Sequence, residues 1–332
     1  KDGTAYVEYA TAKENLNDHL YKSDEEQQVI LTTAVDIIKL PYDSNEYTTL
    51  TGNGSMPYQI VVSQDGNVYI ALDYLAQYTA LQYSVEQEPL HIIINNQWGT
   101  KTFSDVIKEE SVRLDADIKS PILKKEATGD KVTVLEQEEE WTKVLTADGY
   151  IGYMKSKKLS DSYEEQITSD FRTAEYTSIH KDYDMNLLWH QVTSQDSNDA
   201  LAADIQDVKG VNVISPTWFS ISSNDGDISS LASSDYVDTA HQNDMEVWGL
   251  MDNFSTDIDT DTVLGTTTSR ENLEGQLITE ALNYQLDGIN IDIESLPEET
   301  SESYVQFMRE LSVKCRNNNL VLSVDVPSPY SF

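Results

Sequence analysis

Asp287, Gly288, Ile289, Asn290, Ile291, Asp292, Ile293 and Glu294 follow one another in the chain, so that from Asn290 onward a polar side chain recurs at every second position between isoleucines. In a β-strand that period sends Asn290, Asp292 and Glu294 to one face and the three isoleucines to the other. Two carboxylates and an amide then line one wall. If the wall faces the inside of a closed barrel, the acids lie close together in a medium poorer than water at solvating charge. At least one should then resist ionising at neutral pH, which is what an acid catalyst requires. The alternative is an edge strand whose acidic face meets solvent. Strong helical patterns before and after the octet favour a strand of a parallel barrel.

From Ser178 onward, nearly continuous apolar runs alternate with helical stripes, as strands covered on both faces require. Strands are expected at 185–192, 211–221, 245–254, 286–295 and 320–326. Thr268 and Glu271 have the spacing of a capping box, and Leu273, Leu277 and Ala281 with Ile278 and Leu282 form the stripe behind it. The next helix, from Ser301, presents Tyr304, Met308, Leu311 and Cys315 on one side. This is the pattern of an α/β (β/α)8-type barrel over residues 178–332, with only about the first five strands in place. A complete barrel needs eight strands and about 250 residues. An open parallel sheet would expose backbone groups and half its core, so the natural protein is expected to continue past Phe332, or else to pair its half-barrel with another chain.

Two further domains precede the barrel. Residues 111–162 read as a small all-β unit, with short alternating strands at 131–135 and 141–145 and a tight turn at Asp148-Gly149 into 150–154. The spacing of Trp141, the turn glycine and Gly152-Tyr153 resembles bacterial SH3-like domains, which often bind cell-wall peptides or act as spacers. Trp141 is then either core or a ligand platform. Residues 1–110 read as an α+β domain, with a strand at 68–72, a short helix at 73–77 and a strand at 91–94. This part resembles the small domain named after the N-terminal part of copper amine oxidases. His91 has no second histidine near it, so no copper site is expected and a structural or docking role is the default.

The 332 residues carry 58 acidic against 22 basic side chains, a formal charge of −36. Nucleic acid is thereby disfavoured as a partner, since phosphate binding needs clustered Lys and Arg. Cys315, the one cysteine, lies on a predicted apolar stripe and reads as a buried, inert thiol. No apolar run approaches the ~20 residues that span a bilayer. No cluster has metal-ligand spacing, so no cofactor is expected.

The octet resembles the signature of glycoside hydrolase family 18, the chitinase-like barrels, in which Asp-Gly-x-Asp-x-Asp-x-Glu forms the fourth strand. It also falls on the fourth strand counted here. Asn290 stands where chitinases usually have Asp, and the third strand, around Trp248 and Met251, lacks their Ser-x-Gly-Gly pattern. Both departures match the spore-cortex and peptidoglycan branch, so a peptidoglycan-type glycan is expected in preference to chitin. The resemblance implies a retaining, substrate-assisted glycosidase. Glu294 would protonate the glycosidic oxygen, the substrate's 2-acetamido carbonyl would be the nucleophile, and Asp292 would orient that group and stabilise the oxazolinium. Asn290 and Asp287 would support them, Asp287 at the strand entrance. Asn253, Trp218 and Gln191, at strand ends where barrel ligands bind, are expected sugar contacts. The domain order resembles cell-surface enzymes of Gram-positive bacteria, which implies an extracellular or surface location, an N-acetylated polysaccharide as partner and a cell-wall peptide for the SH3-like domain. The alternative is a catalytically silent wall-binding protein.

Overall fold

The computed structural model describes residue 1 and residues 3–326. The chain is multidomain and mixed α/β, and divides by contact into two units: Lys1–Asp18 with Gln64–Thr173, and His19–Ser63 with Ala174–Phe332.

The first unit holds a seven-stranded antiparallel sheet, ordered Ile122–Glu126, Glu110–Arg113, Ile151–Lys155, Trp141–Leu145, Lys131–Gln137, Gly99–Asp105 and Tyr163–Ile167. The expected strands of the SH3-like segment lie within it, over a core of Val106, Val112, Val132, Val144, Met154 and Leu159. A Cβ on Gly152 would collide with the Arg113 carbonyl, so glycine is what lets those two strands meet. Trp141 is 8% exposed, with the Lys155 ammonium 4.0 Å from its ring centroid. Its indole therefore packs into the sheet rather than standing open as a platform. In the same unit Tyr6–Glu8 pairs with Asn67–Ala71, which runs into the short helix Leu72–Leu75, and Gln82–Gln87 forms a hairpin with Leu90–Asn95.

The second unit is built on five parallel strands in chain order: β1 (Leu187–His190), β2 (Val213–Ile221), β3 (Glu246–Asp252), β4 (Gly288–Asp292) and β5 (Val321–Val324). Each expected strand is present but shorter, because apolar residues continue past the last ladder bond. A short antiparallel strand, Ile228–Ser230, joins the outer part of β2. The three longest helices of the unit cover one face: α1 (Ser234–Gln242), α2 (Thr267–Asn283) and α3 (Ser301–Asn317). Ile289, Ile291 and Ile293 of the octet pack in that layer with Leu273, Leu277 and Phe307. Cys315 is fully buried there and burial pushes its thiol up to about 12, as the apolar stripe predicts.

The expected unit over 1–110 is not what the structure assembles. Residues 20–55 form a five-stranded antiparallel meander, Leu20–Ser23, Gln28–Thr32, Ile37–Pro41, Glu46–Thr48 and Asn53–Ser55, that belongs with the helices of the parallel sheet. Tyr21, Ile30 and Ile37 bury against Val313 of α3. Helix α3 therefore has two buried sides, one of Phe307, Leu311 and Cys315 and one of Gln306, Glu310 and Val313. The polar members of the second side are hydrogen-bonded, except at Gln306 Oε1. Gln306 donates to Thr32 Oγ1 at 2.9 Å and to Glu310 at 2.9 Å. Glu310 accepts from Arg270 Nε of α2 at 2.9 Å, with both side chains out of contact with water. The guanidinium also stacks 4.7 Å from the Tyr21 ring centroid.

The expected Thr268–Glu271 capping box does not form. Thr267 and Thr268 donate their backbone N–H groups to the Glu26 carboxylate at 2.9 Å each, and Thr268 Oγ1 donates to it at 2.6 Å. Glu271 instead pairs with Lys39. The cap of α2 thus comes from the meander, where a carboxylate meets the free amides and the positive end of the helix.

Candidate active site

The ladder fixes which side chains share a face. Leu250 and Asp252 of β3 lie opposite Asn290 and Asp292 of β4, and Ser323 of β5 lies opposite Asn290. At the foot of β4 a Cβ on Gly288 would stand 2.8 Å from the Val321 carbonyl oxygen, so the Asp-Gly start is what allows β4 and β5 to close up there. With that register set, the octet's alternation does the rest. Its isoleucines face the helices, and Asn290, Asp292 and Glu294 form the opposite row.

The row rises from floor to mouth: Asn290 is fully buried, Asp292 half-buried and Glu294 exposed. Asn290 is the hub of the floor. Its Nδ2 donates to Asp325 Oδ2 at 2.8 Å and Ser215 Oγ at 3.3 Å, while its Oδ1 accepts from Ser323 Oγ at 2.6 Å. A neutral amide suits this place because it can donate to the Asp325 carboxylate while accepting from Ser323, which a second carboxylate could not do. Above it, burial first, then the charges of Asp325, Glu294 and Asp252, push the Asp292 carboxyl up to about 6. Burial, followed by Asp292 and Asp325, likewise raises the Tyr304 phenol of α3. The proton-retaining acid of the expected pair is therefore Asp292.

The other expected residues take distinct places. Asn253 holds the backbone on either side of the Glu294 side chain: its Nδ2 donates to the Glu294 carbonyl at 3.0 Å and its Oδ1 accepts from the Glu294 amide at 2.9 Å. Both ends of its amide are engaged by the backbone of Glu294. Ser295, at φ 57°, then turns the chain sharply away through the left-handed region. Asp287 lies at the opposite end of β4, roughly 20 Å along the strand from Glu294, with its Oδ2 accepting from the Val247 amide at 2.8 Å and 2.9 Å from His241 Nε2. Gln191 is exposed just past β1.

Trp218 is a correction. It falls where the β2–β3 register shifts, since Thr217 pairs with Leu250 but Phe219 with Met251. Its indole lies on the helix side, 2% exposed, against Tyr236 of α1 with ring centroids 4.9 Å apart. Its Nε1 donates to Asn198 at 2.9 Å. No face of the ring is left for a sugar.

Sequence reasoning missed Asp252, Asp325 and Trp189. Asp252 accepts from Ser220 Oγ at 3.1 Å and the Phe254 amide at 3.1 Å. Trp189, 58% exposed, donates its Nε1 to Asp325 Oδ2 at 3.0 Å. Ser323 and Asp325 alternate with Val324 and Val326 just as the octet alternates, which is the signal that could have found them. Among the described residues no group of three or more His, Cys, Asp or Glu is placed to hold a metal ion, and no helix is long and apolar enough to cross a membrane. What the row offers is proton chemistry: a half-buried carboxyl that keeps its proton to about pH 6, next to an acid that reaches the mouth.

No curated protein sequence matches the chain. Among solved structures, it is similar to a chitinase from Bacteroides thetaiotaomicron at 17% identity, covering 43% of this chain and 47% of that one, with a TM-score of 0.37. It is also similar to the spore cortex-lytic enzyme SleL of Bacillus megaterium at 18% identity, over 48% of this chain and 38% of that one, with a TM-score of 0.37. SleL of Bacillus cereus gives 21% identity over 42% and 34%, with a TM-score of 0.36. The chain spans less than half the length of each of these proteins. Residues 111–160 match the family model of the bacterial SH3 domain.

Proposed function

We propose that the row on β4 is the acid half of a glycosidase site that cleaves an N-acetylglucosamine-containing glycan of the bacterial cell wall, of peptidoglycan type in preference to chitin. The carrying observation is that Asp292 stands at the C-terminal end of a parallel strand, where such folds bind ligands, with burial and the charges of Asp325, Glu294 and Asp252 pushing its carboxyl up to about 6. The resemblance of the octet to family 18 supplies the rest. Glu294 gives its proton to the leaving oxygen while the 2-acetamido carbonyl of the substrate bonds to the ring carbon. The Asp292 proton then passes to Glu294, leaving an anion beside the oxazolinium. Attack by one water then releases one proton, which Glu294 takes up as its own returns to Asp292, restoring both acids. Asn253 aims Glu294, and Asn290 supports Asp292 from below. An extracellular or cell-surface location belongs to the same reading, with a cell-wall peptide as ligand of the SH3-like segment.

The test is Glu294→Gln. A positioned general acid contributes about 100-fold to 10,000-fold, so release of reducing ends from purified peptidoglycan glycan strands should fall by that factor while glycan binding persists. Undiminished hydrolysis by the variant would refute the assignment. Binding without hydrolysis by the unmodified protein would favour the silent wall-binding reading.

A further inference from the structure

Three aspartates stand abreast at the mouth of the sheet. Asp252 of β3 is in register with Asp292 of β4. Asp325 follows the Ile291–Val324 pair and donates its amide to the Ile291 carbonyl at 2.8 Å, which continues the row from the end of β5. Neighbouring strands lie about 4.8 Å apart, and residues opposite one another share a face.

The outer two are held as hydrogen-bond acceptors. Asp252 receives Ser220 Oγ and the Phe254 amide. Asp325 receives Asn290 Nδ2 and Trp189 Nε1. No hydrogen bond from a described residue supports the middle one, and the charges that act on it, from Asp325, Glu294 and Asp252, are all negative. Tyr304, from α3, adds only a neutral phenol. We infer that Asp252 and Asp325 are positioning residues that act through Asp292, flanking it with two anchored carboxylates and, among the described residues, no cation, so that its carboxyl enters the reaction carrying a proton.

The meaning of that proton for turnover rests on the hydrolase reading. The charge arrangement itself can be read without substrate. The full chain, labelled with 13C at the aspartate carboxyl carbon, is titrated by NMR, with Asp292→Asn identifying the Asp292 signal. The unmodified protein should show a midpoint at about 6. Asp325→Asn and Asp252→Asn should each lower it by about one pH unit, the scale of one unit charge at about 5 Å in a half-solvated site. Asp325→Glu should keep most of the shift. A midpoint near the ordinary carboxylate value in the unmodified protein, or one that neither asparagine variant moves, overturns the inference.

If glycan strands are cleaved, the fall of kcat/KM above about pH 6 should move down by the same unit in Asp325→Asn. A merely structural role would lower kcat at every pH and leave the profile in place, and that result would also overturn it. Absence of hydrolysis together with the stated NMR shifts would remove the hydrolase reading and uphold the arrangement.

Discussion

Glu26→Gln tests whether the N-terminal meander and the parallel sheet are one folding unit. Burial alone would raise the Glu26 carboxyl, but the hydrogen bonds from Thr267 and Thr268 outweigh it and hold it down at about 2, against an ordinary 4.5. That difference is equivalent to about 3 kcal/mol at 1.36 kcal/mol per unit. The group is half-open to solvent, and screening removes roughly half of it, leaving about 1.5 kcal/mol. This lies within the about 0.5–2 kcal/mol lost with an N-cap. In a unit of roughly 200 residues it corresponds to about 3–6 °C in melting temperature. The pH dependence gives the sign. A carboxyl depressed in the folded state adds stability that is complete above its unfolded value near 4.5 and is lost as pH falls through about 2. Melting followed by tryptophan fluorescence, with hydrogen exchange of the α2 peptides, should show a gap between the two proteins at pH 7 that closes near pH 2. A gap of equal size at both pH values, or unchanged protection of the first turn of α2, would refute the reasoning.

Other outcomes follow from the same contacts. Glu310→Gln leaves the Arg270 guanidinium buried without its anion, and urea unfolding should show a loss of about 3–5 kcal/mol; the double replacement Arg270→Met with Glu310→Leu should recover most of it. Asn253→Ala frees the Glu294 backbone. On the hydrolase reading kcat should fall roughly tenfold or more with KM little changed, since a misaimed acid costs positioning rather than binding. An equal loss in KM would place Asn253 on the substrate instead.

The octet and its neighbours were legible because their information is local. Alternation in steps of two settles which side chains share a face, and apolar runs between helical stripes locate the five strands within two or three residues. Interactions between distant segments left no such trace. Glu26 reaches α2 from the far end of the chain, so the Thr268–Glu271 spacing mimicked a cap that the fold supplies from elsewhere. Gln306 and Glu310 look like a solvated helix side until the meander covers them. Trp218 was placed by its position near a strand end, which says nothing of the face its side chain takes; the indole lies on the helix side, just before a register shift in β2. Asp325 was visible in its alternation but became meaningful only beside Asp292, which depends on the β4–β5 register.

Because residues 19–63 complete the layer over α2 and α3 while residues 64–173 form a unit with residues 1–18, the polypeptide leaves a half-built structure and returns to finish it more than a hundred residues later. Cutting the gene at the apparent start of the barrel would therefore strip away the partner of Val313, the cap of α2 and the lid over a buried guanidinium in one stroke. The intervening segment, by contrast, behaves topologically as a guest.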